Sequence, residues 1–365
     1  MKVVLIGGHL SPAVSVIEKL KKEEVFYIGR KYTFEGDKAL SLEHREVAKM
    51  GVPFFSITTA RLQRKFTRYT LFSFSKLPVG FFQSYKILMK IKPDVVLGFG
   101  GYVSIPVVLA AHFLKIPTVI HEQTLEAGFA NKLLSKFAKK VCISWESSKD
   151  FFPKEKIVLT GNPIRKDIIN AKSPPEARFA LPLVYISGGS SGAHALNAIV
   201  ENSLDKLLGK FYLIHQTGDS QKFKDYERLN NKKNRPDGPG DNNYEIRKFL
   251  SSSQAAESLS KADLVISRAG INTVTELIYL EKPALLIPLP YSQKSEQLKN
   301  AEFLKDLGLG EIIEQKHLTN ELFFSTVLSM IKNVESYKLK RRVLINNSAE
   351  KLVEVLKNVS KGKKT

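Results

Sequence analysis

Leu183-Val184-Tyr185-Ile186-Ser187-Gly188-Gly189-Ser190-Ser191-Gly192-Ala193 is the stretch on which the fold turns. Four consecutive apolar residues, mostly β-branched or aromatic, read as a strand covered on both faces, and the glycines behind them end it. From Ala193 to Leu207 the apolar positions return at helical spacing. A buried strand that passes through a glycine turn into a helix is the building unit of a parallel sheet, because parallel neighbours need a crossover.

The same unit opens the chain. Lys2–Ile6 reads as a strand, Gly7-Gly8-His9-Leu10 as the turn, and Pro12–Lys22 as a helix that Ser11 caps and Pro12 begins. Further strands are expected at Val25–Ile28, Val95–Leu97, Thr118–Ile120, Val141–Ile143 and Ile157–Leu159. A second group follows at Phe211–Ile214, Tyr244–Ile246, Leu264–Ser267 and Ala284–Ile287. Between the groups, Gly161-Asn162-Pro163 and Ser173-Pro174-Pro175 suit a linker. The expectation is an α/β chain of two doubly wound, Rossmann-like parallel-sheet domains, residues 1–163 and 164–337, with a ligand cleft at the carboxyl ends of the strands. Asn230–Asn243 reads as an exposed loop, and a helical pattern runs from Glu335 to about Val359.

Bulk properties agree with this division and narrow the function. A length of 365 residues suits two domains, and 43% hydrophobic with 25% charged residues excludes a disordered chain. One cysteine excludes a disulfide framework and fits a reducing compartment. There is no signal-type segment and no run of about 18 apolar residues, so a cytoplasmic protein is expected. The formal net charge of +20 points to nucleic acid, an acidic substrate or an anionic membrane. Between Glu46 and Asp94 no acidic residue occurs, while Lys49, Arg61, Arg64, Lys65, Arg68, Lys76, Lys86, Lys90 and Lys92 alternate with many Phe and Tyr residues. That mixture suits lipid headgroups, and no nucleic-acid-binding signature is present.

The two glycine turns offer helix-start amides to an anion such as a diphosphate. Neither carries the Gly-x-Gly-x-x-Gly pattern with an acid about 20 residues on, which excludes a dinucleotide-dependent oxidoreductase. A third turn, Ser267-Arg268-Ala269-Gly270-Ile271-Asn272-Thr273-Val274-Thr275-Glu276, leads from a strand to a helix that Asn272 or Thr273 is expected to cap. Glu276 then stands where a carboxylate can accept two hydrogen bonds from a vicinal diol such as a ribose, or simply complement the helix dipole.

At these residues the chain resembles the MurG family. The blocks that carry the resemblance are Asp94–Ser104 (DVVLGFGGYVS), His121-Glu122-Gln123, Ala127-Gly128, Gly161–Arg165, the Gly188 turn, Arg268–Glu276, and Gln297 with Asn300-Ala301. They span nearly the whole sequence. The resemblance implies a GT-B fold whose C-terminal helix, about residues 338–360 here, crosses back to the first domain. It implies an inverting transfer of N-acetylglucosamine from its UDP ester to undecaprenyl-pyrophosphoryl-N-acetylmuramoyl-pentapeptide, giving lipid II for peptidoglycan, at the cytoplasmic face of the membrane. By resemblance, Glu276 holds the ribose, Leu250 and Ile271–Thr275 frame the uracil, Ser190 and Arg165 meet the diphosphate, and Gln297 meets the sugar. Arg268 and Gly270 belong to the same donor side, and Gly7 and Gly8 face the donor sugar. Gly101, Tyr102, His121, Gln123 and Thr124 form the acceptor side. The chain departs from the family at the first loop, three residues shorter than Gly-Gly-Thr-Gly-Gly-His. It departs again at Thr124 (usually Asn), Ser191 (usually Gln) and Glu296.

For chemistry, a base must take the acceptor hydroxyl proton while the diphosphate leaves from the opposite face. His9 is the candidate base, with loop ordering as its alternative role, and Glu122 is the rival, with a buried structural acid as its alternative. No Asp-x-Asp motif occurs, so neither metal nor other cofactor is expected. His121, His194 and His215 lack metal-ligand spacing and read as structural, as do Cys142 and Trp145. Three classes stay open from the residues alone: the lipid-linked transferase, another reaction on a UDP-sugar (epimerisation, or transfer to a diacylglycerol), and a non-catalytic nucleotide-sugar-binding membrane module.

Overall fold

A computed structural model describes residues 1–32, 40–59, 76–172, 179–189, 192–235, 243–292, 295–345 and 347–362. Contacts divide the chain into two units, Met1–Arg165 together with the segment from Ile345 onward, and Lys166–Leu344.

The first unit is a seven-stranded sheet. Its strands are β1 (Lys2–Ile6), β2 (Glu24–Gly29), β3 (Phe54–Ser56), β4 (Val95–Gly98), β5 (Thr118–Glu122), β6 (Lys140–Ile143) and β7 (Ile157–Leu159). They lie in the order β3-β2-β1-β4-β5-β6-β7, and every pairing is parallel. Helices α1 (Leu10–Lys19), α2 (Leu42–Lys49), α3 (Lys76–Ile91), α4 (Ser104–Phe113) and α5 (Phe129–Leu134) make the crossovers. Side chains alternate across a strand, so Val4 and Ile6 join a core with Val107, Val108 and Leu134, while Val3 and Leu5 join another with Ala13, Val16 and Val47. Both faces are covered, and the central strands are apolar throughout for that reason.

The second unit repeats the plan with six parallel strands in the order β10-β9-β8-β11-β12-β13. After α6 (Lys166–Asn170) come β8 (Leu183–Ser187), α7 (His194–Leu208), β9 (Tyr212–Gln216), α8 (Asp225–Lys233), β10 (Tyr244–Arg247) and α9 (Ser252–Lys261). Then follow β11 (Leu264–Ser267), α10 (Ile271–Leu280), β12 (Ala284–Leu286), α11 (Glu296–Asp306), β13 (Gly310–Ile312) and α12 (Asn320–Lys332). Leu196, Val200 and Leu204 of α7 pack with Phe323, Val327 and Met330 of α12 over this sheet. The last helix, α13 (Ser348–Lys361), returns to the first unit and buries Leu352 and Leu356 beside Val16 and Leu20.

The expected alternation of strands and helices is present, with five local differences. The segment Asn230–Asn243, expected as a loop, begins inside helix α8, which runs on to Lys233, and residues 236–242 of it lie outside the described residues. Edge strands β3 and β13, three residues each, were not anticipated, since Ser56 in one and Gly310 and Glu311 in the other break the apolar run that made the equally short β7 and β12 legible. Helix α1 starts at Leu10 with His9, not Ser11, as its N-cap. Pro12 thereby becomes the third helical residue, which costs nothing because first-turn amides have no intrahelical partner. Helix α10 starts at Ile271 with Gly270 as N-cap, so Asn272 and Thr273 lie inside its first turn. The C-terminal helix begins at Ser348, not near 338, because Asn347 is left-handed (φ 58°), which a continuing right-handed helix cannot contain.

Candidate active site

In each sheet two adjacent central strands, β1 with β4 and β8 with β11, send their crossovers in opposite directions. The loops leaving such a pair part at the carboxyl ends and open a crevice, the place where open parallel sheets bind ligands. Gly7, Gly8, His9, Gly101 and Tyr102 lie at the first of these points and Arg268 to Glu276 at the second, while His121 to Thr124 end β5, Leu250 follows β10 and Gln297 follows β12.

In the first unit the β1 loop crosses the β4 loop backbone against backbone. Gly8 has φ 145°, and a Cβ there would strike the Gly100 carbonyl, so no side chain fits. Gly101 (φ 71°) and Tyr102 continue the β4 loop alongside, and the Ser104 hydroxyl holds the Gly100 carbonyl at 2.6 Å. His9 caps α1 with an extended backbone (φ −128°). Burial lowers its pKa, and the Glu122 carboxylate raises it again; the positive end of α1 acts with burial.

Glu122 itself is 2% exposed. Its two oxygens accept the Thr124 amide (3.0 Å), the Thr124 hydroxyl, the Gly128 amide (3.0 Å) and the Asn131 side-chain amide (3.0 Å). A carboxylate so enclosed cannot reach an acceptor hydroxyl, which corrects the expectation that it rivals His9 as base. Its electrostatic effect falls on the His9 imidazole nearby.

His121 and Gln123 are also withdrawn from any ligand. The His121 Nε2–H donates to the Gly161 carbonyl at 3.0 Å, and its Nδ1 accepts from Gln123 Nε2 at 2.9 Å. Burial pushes this imidazole down to about 4. Direct acceptor contact by His121, Gln123 and the 7%-exposed Thr124 is therefore corrected to support of the loop, because their polar atoms are spent inside it. Trp145 donates its indole N–H to the Gln123 carbonyl at 2.8 Å, and Ser148 donates to the Thr124 carbonyl.

The Gly7 and Gly8 amides are spent as well. Gly7 N–H donates to the Ile28 carbonyl at 2.9 Å, and Gly8 N–H donates to the Glu43 carboxylate at 3.0 Å. The expectation that these amides bind the donor is corrected on that ground. The first glycine turn already holds an anion, and the anion is a side chain of α2.

In the second unit Ser190 lies outside the described residues. Around it, Gly192 has φ 71° and its Cβ position is filled by the Thr217 carbonyl. Helices α7 and α10 both start without a side-chain cap and without an acid in the first turn. The first helical bond of α10 is Val274 N–H to the Gly270 carbonyl (3.0 Å), so the amides ahead of it face out of the helix start. A Cβ on Gly270, whose φ of −68° is ordinary, would meet only Thr273 Oγ1 at 4.0 Å. The protein leaves that space open. Glu276 sits on the second turn, 7% exposed. The Thr275 hydroxyl is spent on the Ile271 carbonyl (2.8 Å). Leu250 precedes Ser251, which forms a capping box with Gln254.

Arg268 turns away from the loop amides. Its guanidinium donates to the Ile287 carbonyl (2.9 Å) and to Gln315 Oε1 (2.8 Å), and burial lowers its pKa. It ties β11 to the segments after β12 and β13. Gln297 Oε1 accepts the Leu289 amide (2.9 Å), which aims its amide nitrogen the other way. Asn300 holds the Ala269 carbonyl at 3.0 Å. Arg165 is the last residue of the first unit before the chain crosses over.

A buried polar network braces α7 from behind. Asn197 donates to Thr217 O (3.0 Å) and to Asp225 (2.9 Å), and its Oδ1 meets His215 Nε2 at 3.0 Å. His194, first residue of α7, pairs with Asp225 at 2.8 Å and stacks on Phe223. Burial lowers the His215 pKa to about 3. Asn197, Asp225, Asn131 and Glu43 all escaped the sequence reading. Each is a single polar residue whose partner lies on another element, 9 residues away for Asn131, 28 for Asn197 and 35 for Glu43, and no local pattern reports such a partner.

Three comparisons bear on this geometry. Residues 6–143 match the glycosyltransferase family 28 N-terminal domain, and residues 183–356 match the glycosyltransferase family 28 C-terminal domain. The chain is 33% identical over 372 residues to a protein of Clostridium botulinum (strain 657), covering 98% of this chain and 97% of that one. It is 35% identical over 369 residues to one of Bacillus cytotoxicus, covering 97% of each. Both are named UDP-N-acetylglucosamine–N-acetylmuramyl-(pentapeptide) pyrophosphoryl-undecaprenol N-acetylglucosamine transferase. The crystal structure of Acinetobacter baumannii MurG superposes with a TM-score of 0.70 at 28% identity, covering 98% of this chain and 100% of that one.

Proposed function

The chain belongs to the MurG family of GT-B glycosyltransferases, and from that premise we propose that it transfers N-acetylglucosamine from UDP-N-acetylglucosamine to undecaprenyl-pyrophosphoryl-N-acetylmuramoyl-pentapeptide, forming lipid II. The second unit holds the donor. The observation that carries this is the start of α10: outward-facing amides, an open space at Gly270, and the Glu276 carboxylate one turn further along. Amides there suit the uracil and Glu276 suits the two ribose hydroxyls, while the starts of α7 and the Gly188 turn suit the diphosphate.

The reaction follows from these roles. The acceptor hydroxyl oxygen attacks the anomeric carbon as its proton passes to His9, and the bond from that carbon to the diphosphate oxygen breaks. UDP departs with the electron pair. Glu122 stabilises the imidazolium that forms, and the helix-start amides of the second unit stabilise the departing diphosphate. The chemistry needs no metal, so chelation with EDTA leaves kcat within about twofold.

The first unit meets the acceptor at an anionic membrane surface. On α3, Val79, Phe82 and Met89 are exposed, Phe113 stands beside Phe81 with 69% exposure, and Lys86 and Lys90 share the exposed side. Basic and aromatic residues mixed in this way suit lipid headgroups. The remaining basic and aromatic residues, from Arg61 to Phe74, lie outside the described residues. No helix among the described residues is long and apolar enough to span a bilayer. The test of the donor site is UDP binding by calorimetry. Glu276→Ala weakens Kd by about 10- to 100-fold, as expected for hydrogen bonds to a charged group; an unchanged Kd sinks the assignment.

A further inference from the structure

The first glycine turn is built like an anion site and has been filled from within. We propose that Glu43 is a positioning residue for the transfer, a side-chain carboxylate seated where a ligand phosphate would sit in the Gly7-Gly8 turn, which aims the adjoining His9. The inference rests on the reading of His9 as the base.

Three observations carry it. First, the Glu43 carboxylate accepts the Gly8 amide at 3.0 Å, and Gly8 is bonded directly to His9. That amide fixes the Gly7–Gly8 peptide, and only the two dihedrals of Gly8 separate that peptide from the one that carries His9. Second, the space for the carboxylate is kept by glycines at the ends of two neighbouring strands, Gly7 just after β1 and Gly29 closing β2. A Cβ on Gly7 would lie 2.7 Å from Oε2, and one on Gly29 would lie 3.2 Å from it. Third, the helix that bears Glu43 is docked on the end of β2. The Ser41 hydroxyl caps α2 through the His44 amide (3.1 Å) and donates to the Arg30 carbonyl (2.6 Å), while Ser41 N–H donates to the Lys31 carbonyl (2.8 Å). Burial pushes the Glu43 carboxyl up, and the Gly8 amide together with the Arg30 amide and guanidinium pulls it back toward the ionised form.

It follows that diphosphate recognition belongs to the second unit, and that the first turn fixes a base instead of a phosphate. Glu43 touches neither donor nor acceptor in this scheme; it acts through Gly8.

Two variants and two readouts test it. Glu43→Ala should lower kcat by about 10- to 100-fold, the scale of a misplaced reacting group, with the KM for UDP-N-acetylglucosamine changed by less than about twofold. Glu43→Gln keeps an acceptor oxygen for Gly8 and should restore kcat to within about threefold of wild type. Independently of turnover, the ring signals of His9, assigned by their loss in His9→Gln, should titrate closer to 6.5 in Glu43→Ala than in wild type, as the loop releases the imidazole to water. The inference is overturned if Glu43→Ala preserves both kcat and the His9 midpoint, if it raises the donor KM at unchanged kcat, or if Glu43→Gln is as impaired as Glu43→Ala. Should the wild-type protein fail to release UDP with the lipid-linked acceptor, the proposed function falls, and the His9 titration still decides the role of Glu43.

Discussion

His9 is pulled two ways, and the balance sets the pH at which it can work. Burial and the start of α1 favour the neutral ring, while Glu122 favours the charged one, and burial prevails, so the midpoint lies below 6.5. A base must be neutral to accept a proton. The kcat/KM of the free enzyme should therefore rise as pH increases through that midpoint and level off above it. His9→Gln should remove the acidic limb and lower kcat by about 10²- to 10⁴-fold, the usual contribution of a general base. An acidic limb that persists unchanged in His9→Gln would assign the proton transfer elsewhere. The site was only half legible at this scale. His9 stood out because it is the polar residue in a glycine turn, but Glu122 stood out equally, and only its four donors separate the two.

Helix α13 is the element that joins the end of the chain to its beginning. Leu352 and Leu356 are fully buried beside Val16 and Leu20, and Lys19 pairs with Glu350 at 2.6 Å. The ion pair is exposed and adds little; the leucines hold the helix. Leu356→Ala should cost about 2–5 kcal/mol, which lowers the melting midpoint of the first unit by roughly 4–20 °C at 2–4 °C per kcal/mol. Scanning calorimetry of the full chain reads this, and an unshifted thermogram refutes it. Helices such as α1 and α7 were visible from their periodicity. Edge strands β3 and β13 were not, and neither were helix ends, which are decided by one backbone angle such as that of Asn347.

At the scale of the whole molecule, two kinds of charge make opposite demands. Buried imidazoles must stay neutral. His121 titrates at about 4 and His215 at about 3 in the folded protein, both below the ordinary 6.5. Below pH 6.5 the unfolded chain binds protons that the folded one refuses, so the stability these groups contribute is complete above 6.5 and declines as pH falls toward 4. The slope is about 1.4 kcal/mol per pH unit for each imidazole. Urea unfolding at pH 7, 6 and 5 measures it, and a flat profile refutes it. The exposed lysines of the proposed lipid-facing side must stay charged to act there. Lys86→Gln should weaken binding to anionic vesicles about fivefold, ~1 kcal/mol per basic residue, and leave binding to neutral vesicles alone. Equal loss on both, or on neither, excludes this face.

The amino-acid sequence by itself determined the two parallel sheets, since buried strands and amphipathic helices write their burial into local periodicity. It also located the three glycine turns at strand ends, because glycine is the residue that a tight turn or close backbone approach demands. Only the tertiary structure decided which polar groups are free to act. Glu43 meets Gly8 across 35 residues, and Asn197 meets Asp225 across 28. Such pairs form because a buried polar atom must find a partner somewhere, and nothing in its sequence neighbourhood says where.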